Sequence, residues 1–361
     1  MITAAGIFRS VVRIMLLPFV PVYGAVVALR NKAFDLGLFK TYQSSLPVVS
    51  VGNFTVGGSG KTPFVRYLAQ YYLNRGVKPV ILSRGYGGSC RGPYLVQEND
   101  SADIVGDEPL MQKRFFGSQV SVVIARRRVA GAKFIEEHSL GGLIILDDGF
   151  QHRWLARDLN ILLLGQELVN GETIAAAERL LPVGRLRESV ASALRRADAL
   201  VVVRRVTGKD TGEDFGKGSR LEVVPGMASS NLLSGEFRLY PLQIKNIFTA
   251  AEIPLEEMQE TFSEGVVAFS GIAKPESFFA MLKALGLKHV DTVAFPDHHL
   301  FTVEELAELE SRQLPLICTE KDAVKVTSVD GCNGSNIYYL GLNADFSANT
   351  SFFEALTITR G

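Results

Sequence analysis

The chain has 361 residues, 47% of them apolar, and its 38 basic residues balance 38 acidic ones. That length suits about two domains with sizeable cores, and zero net charge argues against a bulk nucleic-acid binder while leaving room for a local basic patch. Cys90, Cys318 and Cys332 are scattered with no C-x-x-C pair, which points to a reducing compartment and no zinc site.

The charge is unevenly spread. Residues 1–45 carry Arg9, Arg13, Arg30, Lys32 and Lys40 against Asp35 alone, and nothing between Ile14 and Leu29 is charged. A spanning helix needs about 20 apolar residues. This run is shorter and holds Pro18 and Pro21, which break or kink a helix. No A-x-A cleavage signal follows it, so it does not read as a signal peptide. Residues 1–40 are read as a segment lying in the membrane interface, because basic flanks beside apolar surface suit anionic lipid. The competing reading is a helix packed on the core.

From Pro47 to about Arg205, short apolar runs alternate with helical stretches. PVVSV (47–51), KPVILS (78–83), QVSVVIA (119–125), GLIILDD (142–148), LNILLLG (159–165) and DALVVVR (198–204) are predicted strands, rich in Val, Ile and Leu as strands buried on both faces are. Val65, Leu68, Ala69 and Tyr72 fall at helical spacing, and Gly76 ends that helix. The alternation predicts an α/β fold with a doubly wound parallel sheet. Residues 207–235 are polar and glycine-rich and read as loop. FRLYPL and KNIFTA read as two short strands forming a linker. From Gly265 a second βα series runs through GVVAFSGI, PESFFAMLKALG, HVDTVAF, VEELAELES, LPLICT and NIYYLGL, enough for a smaller α/β domain. The expected division is 1–40, 41–235, a linker at 236–262, and 263–361.

Thr55-Val56-Gly57-Gly58-Ser59-Gly60-Lys61-Thr62 stands between the first strand and the first clear helix. The P-loop pattern G-x-x-x-x-G-K-[ST] is met except at its first position, where Thr55 replaces glycine. Glycines let backbone N–H groups reach phosphate oxygens, Lys61 supplies a point charge, and the Thr62 hydroxyl suits Mg²⁺. The helix N-terminus adds about half a positive charge. A P-loop needs a further acid near Mg²⁺. Asp147 and Asp148 follow four apolar residues at a strand end, where ligands bind in open α/β sheets, and at least one of them is the expected metal ligand. The same Asp148-Gly149 pair also suits a plain turn.

TVGGSGKTPF, SRGYGG (83–88), VGDEP (105–109), LDDGFQH (146–152), GRLRE (184–188), FPDHH (295–299) and TEKDAVK (319–325) together resemble the tetraacyldisaccharide 4'-kinases of lipid A biosynthesis, over nearly the whole chain. The Thr55 departure is shared with that family. The resemblance implies two α/β domains, the first P-loop NTPase-like, joined by a two-stranded linker. It implies ATP-dependent phosphorylation of the 4'-hydroxyl of a tetraacylated glucosamine disaccharide 1-phosphate, with Mg²⁺, at the cytoplasmic face of the inner membrane. No nucleic acid or obligate protein partner is expected.

By residue type alone, Asp107 before Glu108 and Pro109 suits a helix first turn. The resemblance makes it the proton acceptor for the sugar hydroxyl, with His298 as its partner; a histidine beside a carboxylate can orient it and tune its pKa. His299 is an adjacent competitor. His298 lies in the second series of strands, so a pair with Asp107 requires the domains to meet over the substrate. His152 is a candidate contact to nucleotide or acceptor. Arg185 and Arg187 are candidates for the acceptor 1-phosphate or the γ-phosphate, since guanidinium forks match phosphate oxygens. Arg126-Arg127-Arg128 reads equally as a solvated helix start or a phosphate contact, and Thr319–Asp322 matches a motif without a role. A membrane-bound P-loop ATPase switch and a soluble small-molecule kinase are the competing functions; Asp107 and His298 exceed what hydrolysis needs.

Overall fold

Val48–Gly52 (β1) is buried at every position, and it lies between two other buried parallel strands. In this computed structural model the described residues are 12, 14–166, 179–206, 233–329, 336–348 and 350–357. Most of the tract read as loop over 207–235, together with Cys332 and residues 1–11, lies outside them.

The N-terminal helix α1 (Phe19–Asp35) forms despite its prolines, because Pro18 caps it and Pro21 falls in its first turn, where no intrahelical N–H is needed. After β1 come α2 (Lys61–Leu73), β2 (Pro79–Ser83), β3 (Tyr94–Leu95), α3 (Asp107–Phe116), β4 (Ser121–Ile124), α4 (Arg128–Glu137), β5 (Leu143–Asp147), β6 (Leu159–Gly165) and β7 (Ala199–Arg205). The chain continues through β8 (Leu233–Asn246), β9 (Glu252–Pro254), β10 (Val266–Ser270), α5 (Pro275–Ala284), β11 (Val290–Ala294), α6 (Val303–Glu310), β12 (Leu316–Thr319), α7 (Glu320–Val326), β13 (Ile337–Ala348) and α8 (Thr350–Leu356).

The described strands form one sheet in the order β3-β4-β2-β5-β1-β6-β7-β8-β13-β12-β10-β11, with β9 on β8. It is parallel except at β3–β4, β8–β9 and the β8–β13 seam. The sequence expectation of two short linker strands is corrected here. FRLYPL and the start of KNIFTA are one long strand, and its antiparallel partner is the C-terminal β13. Pro241 lies inside this strand and has no N–H to donate. The register slips between Gly341 and Leu342 opposite it, and this bulge absorbs the missing donor.

Successive strand residues alternate between the two faces, and helices cover both. Val49, Val51, Ile81 and Ile145 pack with Val65, Leu68 and Ala69 of α2. Val48, Val80, Ile144 and Leu146 pack with Ala132 and Ile135 of α4. Beyond the seam, Ala268 and Ile317 meet Phe278 and Leu282 of α5, while Val267 and Leu316 meet Leu306 and Leu309 of α6. Phe64 of α2 is fully buried edge-on to Phe237 and Phe346, with ring centroids 5.1 and 5.5 Å apart. Burial of one such ring contributes about 2 kcal/mol, and here it holds the helix behind the glycine loop against the seam.

The C-terminal ends of β2, β5 and β1 lie side by side, with Val51 opposite Asp147. The loops at 53–60, 84–88 and 148–152 therefore open on one edge of the sheet.

Candidate active site

Gly57 and Gly60 have φ of 112° and 77°, in the left-handed region that favours glycine. A Cβ on Gly60 would also stand 2.7 Å from Val203 Cγ1. The loop is braced from the GRLRE segment. Val56 N–H donates to the Arg185 carbonyl (2.8 Å), and Arg185 Nε donates to the Val56 carbonyl (3.2 Å). Thr55, at the departed consensus position, is buried and bridges Leu186. Asn53 Nδ2 donates to Ser59 Oγ at 2.8 Å. Lys61 Nζ sits 3.5 Å from Asn53 Oδ1 and 3.5 Å from Asp148 Oδ1. Thr62 follows in the first turn of α2, where its carbonyl accepts from Gln112 Nε2 at 3.1 Å. The loop thus places a lysine and a helix N-terminus at the sheet edge beside an acidic strand end.

That strand end holds unequal carboxylates. Asp147 is buried, and its Oδ1 has no hydrogen-bond partner. Burial, with the charges of Glu108 and Asp148, pushes its pKa up to about 7 against the pull of Lys61 and Arg128. Asp148 takes the left-handed backbone (φ 49°) and receives Arg187 Nη1 at 3.1 Å on both oxygens. Burial alone would raise its pKa, but Lys61 and Arg187 outweigh it and hold it below the ordinary value. An orphaned buried carboxylate oxygen among repelling acids is the donor set a divalent cation relieves. Among the described residues no three His, Cys, Asp or Glu side chains group as a metal cage. Mg²⁺ is usually held by one or two carboxylates plus substrate phosphates, so Asp147, Asp148 and the Thr62 hydroxyl fit it.

The Gly-Asp-Glu-Pro segment begins α3. Gly106, with φ 91°, brings the chain so close to the preceding loop that a Cβ would lie 2.5 Å from the Tyr86 carbonyl. Asp107 then follows in the first turn and accepts from Glu108 N–H at 2.9 Å; the N-cap itself is Gly106, so Asp107 holds the first-turn place its residue type suggests but not the cap. Its other oxygen accepts from His298 Nδ1 at 3.0 Å, across 191 residues of chain. His298 adopts a strained φ of 60°, and its ring lies against Tyr86 at 4.9 Å, tilted by 58°. Burial would raise the Asp107 pKa. The His298 hydrogen bond and the charges of Lys321, His298 and Lys325 together overcome it and hold the pKa below the usual carboxylate value. The neighbouring His299 faces Glu305 at 2.9 Å instead.

His152 is half-buried with its Nε2 unpartnered, and burial together with Arg128, Arg157, Arg30 and Arg84 pushes its pKa down to about 4. Of the basic triplet, Arg126 and Arg127 are exposed, whereas Arg128 is buried at the start of α4 and acts electrostatically on both Asp147 and Asp148. Arg187 is engaged by Asp148 and by Gln151 Oε1 at 3.3 Å, which places it at the acidic strand end.

Of Glu108, Tyr86, Arg128 and Lys321, only Arg128 was singled out from the sequence, as part of the Arg126–Arg128 triplet. The first three adjoin or lie within segments already marked. Lys321 lies in the Thr319–Asp322 motif, which now has a structural account. Thr319 caps α7, and its Oγ1 and the Ser270 hydroxyl both donate to Asp322 Oδ2, at 2.7 and 2.8 Å. Gly271 N–H donates to Asp322 Oδ1 at 3.1 Å, and the Gly271 carbonyl in turn accepts from His298 N–H at 3.0 Å. Lys321 reaches Glu108 at 3.4 Å and Asp107 at 3.5 Å. The motif therefore anchors the His298 loop and touches α3 of the other half.

On the same side, the polar face of α1 docks on the loop-bracing segments. Tyr23 Oη donates to the Arg187 carbonyl (2.8 Å), Arg30 Nη2 to the Gln151 carbonyl (2.7 Å), and Asn31 Nδ2 to Glu188 Oε2 (3.3 Å). Its opposite face leaves Phe19, Val22, Val26 and Leu29 58–68% exposed. The helix thus packs on the protein through one face, as the core-packing reading expected, and exposes apolar side chains on the other. No helix among the described residues is long and apolar enough to cross a membrane.

The comparisons with known proteins agree with this geometry. Residues 12–359 match the family model described as Tetraacyldisaccharide-1-P 4'-kinase (LpxK). The curated tetraacyldisaccharide 4'-kinase of Chlorobium luteolum is 37% identical over 331 residues, covering 88% of each chain. That of Psychromonas ingrahamii is 33% identical over 347 residues, covering 96% of this chain and 94% of its own. The crystal structure of LpxK from Aquifex aeolicus in complex with ATP is similar with a TM-score of 0.72 at 33% identity, covering 96% of this chain and 98% of that one. The fold is thus the α/β arrangement expected from the sequence, and the chain belongs to the tetraacyldisaccharide 1-phosphate 4'-kinase family.

Proposed function

We infer that the protein is an ATP-dependent kinase that transfers the γ-phosphoryl group to the 4'-hydroxyl of a tetraacyldisaccharide 1-phosphate in lipid A biosynthesis. Family membership over nearly the whole chain supports the reaction. The observation that carries the choice over an ATPase switch is the Asp107–His298 hydrogen bond, formed beside the phosphate loop between the two halves of the chain. P-loop hydrolysis can run with a neutral side chain that only orients the water, whereas a carboxylate–histidine pair suits a sugar alcohol that must lose its proton as the new P–O bond forms.

In this reading, Thr55, Val56, Gly57, Gly58, Ser59, Gly60, Lys61 and Thr62 cradle the ATP phosphates with backbone N–H groups and one ammonium. Asp107, held ionised, takes the 4'-hydroxyl proton, and His298 orients its carboxylate. Thr62, Asp147 and Asp148 would hold Mg²⁺, which when bound neutralises charge on the phosphate oxygens. His152, Arg185 and Arg187 stand at the edge where the anionic groups of acceptor and nucleotide gather. The exposed face of α1, with Arg30, Lys32 and Lys40 nearby in sequence, rests in the cytoplasmic face of the inner membrane and meets a lipid acceptor there. Residues 41–235 and 263–361 act as two α/β units that close on the acceptor, joined through the β8–β13 seam.

The test is mass spectrometry of lipid after incubation with ATP and a tetraacylated disaccharide 1-phosphate. A gain of one phosphate on the acceptor is the expected result; ATP consumption that yields only free phosphate overturns the reading.

A further inference from the structure

Lys321 lies between three acceptors of the active-site edge. Its Nζ is 3.4 Å from His298 Nε2, 3.5 Å from Asp107 Oδ2 and 3.4 Å from Glu108 Oε1. Only about a fifth of its side chain is exposed. The groups facing His298 are Asp107 from α3, Lys321 from α7, Tyr86 from the glycine-rich loop, and Asp297, whose carboxylate is 3.9 Å from Nε2; Glu108 reaches Lys321.

We propose that Lys321 is a positioning residue: its ammonium donates to His298 Nε2, so that the imidazole proton is kept on Nδ1, facing Asp107. The donors and acceptors of these groups favour this arrangement of the contacts. An ammonium has donors and no acceptor, so Nε2 beside it must offer its lone pair. An ionised carboxylate only accepts, so Nδ1 beside Asp107 must carry the hydrogen. A doubly protonated ring would set an N–H against the ammonium. Lys321 thus decides which nitrogen carries the proton without touching the substrate, in the way that the far-side partner of a histidine usually does. The inference rests on the reading of Asp107 and His298 as the base and its partner, and it gives the Thr319–Asp322 motif a chemical as well as a structural task.

The device that delivers Lys321 is the helix start itself. Thr319 caps α7, Asp322 ties that turn to Gly271, and Glu320 fixes its outer side to Arg66. The ammonium is therefore presented from a rigid element rather than from a loop.

The test uses the full chain in detergent micelles with four variants. ¹⁵N-histidine NMR of the wild type should show His298 as the Nδ1–H tautomer. Lys321→Met should lose that signature and lower kcat on the order of tenfold to a hundredfold with little change in the KM for ATP. Lys321→Arg should restore both in large part. Glu320→Gln, which loosens the same turn without reaching His298, should keep the tautomer, so a purely structural role for the motif is separated. An unchanged tautomer and kcat in Lys321→Met would overturn the inference, provided Asp107→Asn, measured in parallel, loses activity. If Asp107→Asn stays fully active, the base reading itself has failed.

Discussion

Arg66 and Glu320 are 254 residues apart in sequence, yet Arg66 Nη1 lies 2.7 and 2.9 Å from the two Glu320 carboxylate oxygens. The same guanidinium donates to Gln112 Oε1 (3.0 Å) and the Met111 carbonyl (3.2 Å) and covers the Phe115 ring at 4.3 Å. One side chain thus joins α2, α3 and α7, the elements that carry Lys61, Asp107 and Lys321. Arg66→Leu leaves Gln112 and Glu320 without this partner in a largely buried junction, a loss of about 2 kcal/mol. The expected result is a drop of several degrees in Tm by scanning calorimetry, with a smaller drop for Glu320→Gln, because Glu320 is the more exposed of the two.

Lys61 stands at the junction of the glycine loop and the acidic strand end, 3.5 Å from Asp148. Lys61→Ala should cut phosphoryl transfer on the order of 10²- to 10³-fold by removing a preorganised cation. Product formation measured under ATP saturation checks this. Transfer at the wild-type rate would mean the triphosphate binds elsewhere.

Asp107 and His298 form a unit, and units respond to mutation non-additively. Asp107→Ala should lower kcat roughly 10²- to 10⁴-fold with little effect on ATP affinity. His298→Ala should act in the same direction, and the double variant should be little worse than the more damaging single one. A double-mutant cycle whose effects simply multiply would refute the pairing.

The depressed pKa of His152 has a consequence for stability. Its native value is near 4, set by burial and then by Arg128, Arg157, Arg30 and Arg84, while the unfolded imidazole titrates near about 6.5. Between these values the unfolded chain binds the extra proton. The stability linked to neutral His152 is therefore complete above the unfolded value and is lost as pH falls toward the native one. Tm recorded from about pH 7.5 down to about pH 4.5 should fall more steeply for the wild type than for His152→Gln. Superimposable curves would remove His152 from the acid response.

Val22, Val26 and Leu29 are exposed on one face of α1, away from Tyr23 and Asn31, which hold the helix to the Arg187–Glu188 segment. Replacing the first three with serine should weaken flotation with anionic vesicles while leaving Tm nearly unchanged, since no core contact is lost. Equal flotation would show that this face is not what meets lipid.

The sequence by itself determined the local pieces. Near-continuous Val, Ile and Leu runs marked the strands of a sheet buried on both faces, and the glycines, Lys61 and Thr62 marked the loop, because a phosphate cradle is made from neighbouring residues at one strand–helix junction. Asp147 and Asp148 stood out for the same reason, as charges at the end of an apolar run. Only the tertiary structure decided that β8 is one strand whose partner is β13, because strand pairing between distant segments leaves no trace in the period of either. The resemblance named His298 over its neighbour as the partner of Asp107, and the fold supplies the physical reason. His298 and His299 are adjacent and chemically alike, and the left-handed backbone at His298, anchored through Gly271 and Asp322, turns one ring toward Asp107 and the other toward Glu305. The roles of Arg66, Glu320 and Lys321 were hidden on the same ground: a charge is legible in sequence, but the partner that gives it a task is chosen by the fold.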